Sequence, residues 1–205
     1  MTAEGAKPRS ALGFLTTVED PKDGLFGGYL VLNLAGRPLE FHCTAPIKPN
    51  RAQQILYGPT LEPYLFGEQI GQTLVNKGRI EPQAVCTDRG PALALREFVA
   101  MPVVLVLRSE DRSPDVDEPT TDEPTTTDRP PVDPRTSPIW RLDAPHGTPS
   151  GLIGFRLGRN RVAVPDSGGD DPHAIAERLS GFGFDLAEPF QRIREAIDEA
   201  RRGGH

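Results

Sequence analysis

Pro82-Gln-Ala-Val-Cys-Thr-Asp-Arg-Gly-Pro91, then Ala92 to Ala100, then Met101-Pro-Val-Val-Leu-Val-Leu107, is the stretch on which the fold turns. Ala84, Val85 and Cys86 form a short apolar run. Asp88 and Pro91 suit a helix start, because an Asp side chain accepts orphan backbone N–H groups and proline is tolerated in a first turn. Leu93, Phe98 and Val99 give that helix its apolar positions, and Pro102 stops it. Val103 to Leu107 is uninterruptedly apolar, which predicts a strand covered on both faces. Strand, short helix and strand make a βαβ unit, whose crossover is almost always right-handed and whose strands run parallel.

Toward the N-terminus, Leu12–Val18 predicts a first strand and Glu19–Gly24 a turn. Leu25–Leu34, carrying the Gly27-Gly28 pair, predicts a second strand, and Ala35-Gly36-Arg37 a tight connection. Pro38–Ile47 alternates, with Leu39, Phe41 and Cys43 on the face expected to be apolar and Glu40, His42 and Thr44 on the other. Asn50 can cap a helix through Tyr57. After Gly58-Pro59, Thr60 can cap a second one carrying Leu61, Leu65, Ile70 and Leu74 up to Gly78. The order βββ-α-β-α-β over residues 11–108 predicts an α/β or α+β domain with a mixed sheet of about five strands, preceded by a disordered lead-in over 1–10.

Toward the C-terminus, residues 109–137 are dominated by proline, threonine and acid, and Asp-Glu-Pro-Thr-Thr recurs at 117–121 and 122–126. Such a segment buries too little apolar surface to offset its ordering entropy, so a disordered acidic linker is expected. Nine acids against three arginines between Glu110 and Arg135 account for the whole net charge of −6. The remainder is formally neutral and lacks the basic footprint of a nucleic-acid-binding domain, so nucleic acid is not an expected partner. Residues 138–205 predict a small module. Leu152–Leu157 and Arg161–Val164 bracket a hairpin turn, a helix starts at Asp171-Pro172, and a last helix aligns Phe190, Ile193, Ile197 and Ala200. Arg194, Asp198 and Arg202 are spaced on that helix for i,i+4 pairing. With so few large apolar groups the module is expected to dock on the first domain or on a partner.

Cys43 and Cys86 are too few for a disulfide framework and fall in apolar runs, which suggests reduced, buried thiols. No apolar run reaches the roughly 18 residues of a membrane span, and residues 1–10 have no signal-peptide core, so a cytoplasmic protein is expected.

Three places can carry chemistry. Thr87-Asp88-Arg89-Gly90 lies at the carboxyl end of a predicted parallel strand and at a helix start, where crevices in open α/β sheets take ligands, although capping alone accounts for Asp88. Lys48, Arg51, Tyr57 and Tyr64 make a basic-plus-aromatic patch suited to an acidic partner or a nucleic-acid strand, but two bases carry little affinity. His42 and Cys86 are a conceivable base and nucleophile across strands, whereas the adjacent His42 and Cys43 point to opposite faces. No metal-ligand spacing is present, and Gly27-Gly28 lacks the context of a phosphate loop. His146, His173 and His205 sit among loop signals. With no complete catalytic set, the composition suggests a non-catalytic adaptor: two modules on a tether, a protein partner and no cofactor.

The order βββ-α-β-α-β over residues 11–108 also resembles the ribonuclease H-like fold, and Leu32–Glu40, joining the second and third strands, looks like the same meander in the endonuclease V branch. The resemblance implies an alternative, a Mg²⁺- or Mn²⁺-dependent hydrolase or an inactive nuclease relative. In that family an Asp in mid-first-strand, an acid on the first helix and an Asp ending the fourth strand hold divalent metal. Asp88 matches the last of these and Glu62 or Glu68 the helix. The first strand has no acid until Glu19 and Asp20 at its end, so the catalytic set the resemblance implies is Asp20, Glu68 and Asp88. Two-metal cleavage without the central carboxylate loses the group that bridges the ions, which favours an inactive or repurposed member.

Overall fold

The computed structural model describes residues 10–107, 139–142, 151–166 and 169–202. The lead-in over 1–9, the linker over 109–137, His146 and His205 lie outside the described residues. The fold is α/β, built on one eight-stranded mixed sheet in the order β3-β2-β1-β4-β5-β8-β7-β6. β1 (Ala11–Asp20) and β2 (Gly24–Asn33) pair antiparallel from Ala11↔Asn33 to Asp20↔Gly24. β3 (Pro38–Cys43) adds to β2 at the edge, with a bulge between Val31 and Leu32. Asn33 Oδ1 accepts from the backbone N–H groups of Ala35 and Arg37, which closes the turn around Gly36 at φ 70°.

β4 (Val85–Thr87) then pairs parallel with β1, and β5 (Val103–Val106) parallel with β4. Every residue of β5 is buried, as its unbroken apolar run predicts. The crossover between them, Gly90–Glu97, is a 3₁₀ helix instead of the expected α-helix through Ala100. β6 (Trp140–Leu142), β7 (Leu152–Leu157) and β8 (Asn160–Pro165) complete the sheet. Eight strands stand where about five were expected because β8 pairs antiparallel with β5, so the C-terminal hairpin extends the first sheet.

Two helical layers cover the faces. On one, α1 (Arg51–Tyr57), a 3₁₀ turn at Gly58–Thr60 and α2 (Leu61–Pro63) lead into a π-helix at Tyr64–Gln72 and α3 (Thr73–Lys77). Leu65, Ile70 and Leu74 from this run pack with Leu15, Tyr29, Val31, Leu93 and Leu105. The other face carries α4 (Pro172–Leu179) and α5 (Glu188–Arg202), whose Ile175, Phe190, Ile193 and Ile197 pack with Phe14, Leu32, Cys86 and Val104. Gly27 and Gly28 let both layers close on β2. A Cβ on Gly27 would overlap Ile70 Cγ2, and one on Gly28 would overlap Ile193 Cγ2 and lie 2.9 Å from Ile197 Cδ1.

Local signals hold where a cap dictates them. Asn50 and Gln53 form a full capping box on α1, and Asp171 caps α4 by accepting from His173 N–H. Thr60 makes no cap, since its hydroxyl donates to Tyr57 O. The expected faces of β3 hold only in part: Leu39 packs against the core, but Phe41 and Cys43 are exposed, while Glu40 accepts from the backbone of Arg79 and Ile80. An edge strand covered on one side only leaves its other row to solvent. Ala200 is exposed, and Arg194 does not pair along α5 with Asp198, which sits by Arg201 instead. Among the described residues no helix is long and apolar enough to cross a membrane.

Candidate functional site

β1 and β4 run side by side in register up to Leu15↔Thr87, where β4 ends while β1 continues to Asp20. Asp88 therefore leaves the sheet at the carboxyl end of β4, directly beside the middle of β1, in the kind of crevice that binds ligands in open α/β sheets. There Thr16, fully buried, donates its hydroxyl to Asp88 Oδ1 at 2.6 Å. Arg194 on α5 places its guanidinium on Asp88 Oδ2. The Asp88 side chain is 5% exposed and that of Arg194 25%, so the pair lies in a partly dehydrated setting. Asp88 is not the expected helix cap, because the residue at the cap position is Arg89, which makes no side-chain cap bond.

Arg89 borders the same crevice. Its N–H donates to Thr87 Oγ1 at 3.1 Å, and its Nη2 donates to Thr17 O at 3.0 Å. Its Nε and the hydroxyl of fully buried Thr17 are enclosed without partners. Gly90 opens the 3₁₀ helix that leads away.

The other members of the acid set expected from the resemblance are elsewhere. Asp20, at the far end of β1, accepts from Lys22 and Asp23 backbone N–H groups and, at 2.6 Å, from Arg201. The Asp23 N–H, followed by Arg201, holds its carboxyl below the ordinary value of 3.8. Arg201 is thereby held over the Phe26 ring, 4.8 Å from its centroid. Glu62 and Glu68 are exposed on the layer that packs against the opposite face from α5. Asp20, Glu68 and Asp88 thus do not converge.

The residues present do not fit a divalent-metal centre. The middle of β1 offers Thr16 and Thr17 where a bridging carboxylate would stand, and both oxygens of Asp88 are engaged by Thr16 and Arg194. Among the described residues no three His, Cys, Asp or Glu side chains are placed to hold an ion, whereas Mg²⁺ wants near-octahedral oxygen ligation.

The basic-plus-aromatic patch is only half assembled. Tyr57 and Tyr64 stack with centroids 4.1 Å apart, but Lys48 Nζ turns away to donate to Lys22 O. Arg51 is exposed at the start of α1, a helix with no buried residue. His42 and Cys86 are separated by two intervening strands, roughly 14 Å at ~4.8 Å per strand, so they form no dyad. Burial pushes the Cys86 thiol up to about 12, which makes it a poor nucleophile.

Arg194 and Thr16 are the site residues that the sequence pattern hides. The spacing of Arg194 suggests a partner along α5, yet it directly follows Ile193 and so flanks the buried stripe, where an arginine needs an acid partner. Thr16 looks like an ordinary strand threonine, and only the β1–β4 register brings it to Asp88.

No family model and no curated protein matches the chain. Among solved structures it is similar to endonuclease V from Ciona intestinalis in complex with a 24mer DNA containing an inosine followed by a ribo-adenosine, at 10% identity and TM-score 0.49, covering 94% of this chain and 87% of that one. It is also similar to the catalytic domain of human endonuclease V, at 12% identity and TM-score 0.45, covering 94% and 84%. At such identities the likeness is one of fold. Both neighbours are nucleases by name and one was solved on DNA, so two expectations from the sequence, a non-catalytic adaptor for protein partners and nucleic acid as no partner, are not carried forward. The C-terminal hairpin pairs into the same sheet as β1–β5.

Proposed function

We propose that this chain is a nucleic-acid-binding relative of the ribonuclease H-like nucleases that does not cleave by the two-metal route. The sheet order β3-β2-β1-β4-β5, with β1 antiparallel to β2 and parallel to β4, supports the scaffold. The observation that carries the reading is Asp88, at the end of β4, joined to a threonine and an arginine in place of further carboxylates. Two free cysteines suit a reducing compartment such as the cytoplasm. The test is fluorescence anisotropy with single-stranded, duplex and inosine-containing oligonucleotides, run beside a cleavage assay with Mg²⁺ and Mn²⁺. Binding without cleavage is the expected result. Metal-dependent cleavage that disappears in D88N would refute the non-cleaving reading, and absence of binding to every oligonucleotide would refute the nucleic-acid reading.

A further inference from the structure

We infer that Arg194 is the resident cation of the crevice, and that it holds a phosphate of the nucleic-acid backbone where a divalent ion would otherwise be required. The inference rests on the nucleic-acid reading above. A carboxylate at the end of β4 repels a phosphodiester unless a cation stands between them. Asp88 is too buried, at 5% side-chain exposure, to be screened by water, and both its oxygens are already engaged. Arg194 supplies the charge from α5. A guanidinium carries five N–H donors in a rigid fork, so those not used on Asp88 stay available, and 25% of the side chain faces solvent.

Arg89 follows Asp88 in the chain and reaches across the end of β4 to β1. Its Nη2 is fixed on Thr17 O, and its Nε has no partner. Arg194 on Asp88 and Arg89 on Thr17 O bring two guanidinium groups to this end of β4, and the fork geometry of arginine matches phosphate oxygens. The crevice is thus a phosphate site without metal, built from Arg194 and Arg89.

Two measurements on the full chain test this. Titration with Mn²⁺ followed by electron paramagnetic resonance is expected to show no protein-bound ion at millimolar metal. Bound Mn²⁺ that is lost in D88N would overturn the inference. Anisotropy with a labelled single-stranded oligonucleotide is expected to give the same affinity in EDTA and in Mg²⁺. R194M should weaken it by about tenfold, the effect of losing one charged phosphate contact worth ~1.4 kcal/mol. R194K keeps a cation on Asp88 and therefore the fold, and is expected to lose about fivefold because an ammonium has no fork. Unchanged affinity in folded R194K, or wild-type binding that needs Mg²⁺, would overturn the inference while leaving the nucleic-acid reading intact. No oligonucleotide binding at all would overturn that reading first.

Discussion

Replacing Arg194 by Met should destabilise the chain more than replacing Asp88 by Asn, although both changes break the same ion pair. The asymmetry comes from burial. Asp88 is 5% exposed, so once Arg194 is removed it keeps the Thr16 hydroxyl but not the Arg194 charge, and cannot rehydrate. Stranding a buried charge costs about 3–5 kcal/mol, and the surviving Thr16 bond places R194M near the lower end. Arg194 is 25% exposed and can swing into water once Asp88 is neutral, while an amide at 88 still accepts from Thr16. D88N should therefore cost about 1 kcal/mol. The double variant strands no charge and should cost only about 1.5 kcal/mol, well below the sum of the single changes. Urea unfolding measures all three. With a slope of about 2 kcal/mol per molar, R194M lowers the midpoint by about 1.5 M and D88N by about 0.5 M. Equal losses, a larger loss in D88N, or simple additivity would refute the argument that Arg194 neutralises an otherwise buried carboxylate.

Three further predictions follow from the packing and the titrating groups. Gly28→Ala places a methyl against Ile193 and Ile197 and should cost about 1–3 kcal/mol through overpacking. Gly183→Ala, with open space around it, should stay within about 0.5 kcal/mol, and equal midpoints for the two in urea would contradict the close approach of α5 to β2. Ellman's reagent should titrate one thiol in the native protein, the exposed Cys43, and the buried Cys86 only after unfolding. Rapid labelling of both thiols would contradict the burial of β4. Asp20 has a depressed carboxyl, so its contribution to stability is present above pH 3.8 and is lost as pH falls through its lower folded value. The difference in melting temperature between wild type and D20N should shrink to nothing across that acidic window, and a difference that persists below it would count against the Arg201 contact.

The fold was legible where a local rule leaves few choices. Val103–Val106 is apolar without interruption and has to lie between other strands, and it does, fifth in an eight-stranded sheet. Asn50 with Gln53, and Asp171, announce helix starts through bonds made within a few residues. The hairpin at Leu152–Val164 was legible but its place in the sheet was not, because pairing of β8 with β5 links Ala163 to Leu105 across many residues and leaves no periodic trace in either segment. The same holds for the exposure of Phe41 and Cys43 on β3, which a bulge and the backbone N–H groups of Arg79 and Ile80 on Glu40 decide.

The candidate site divides along the same line. Asp88 could be singled out from its neighbours alone, since an acid after a short apolar run and before Gly90-Pro91 marks a strand end in any α/β chain. What Asp88 does was decided by tertiary structure. It bonds Thr16, 72 residues earlier, and Arg194, 106 residues later, and neither is distinguishable from its neighbours by type or spacing. Hydrophobic periodicity and capping act over a turn of helix or a pair of strands, so a linear pattern records them. Neutralisation of a buried charge depends on which side chains the completed sheet and α5 bring within bonding distance, and that becomes defined only once the chain has closed on itself.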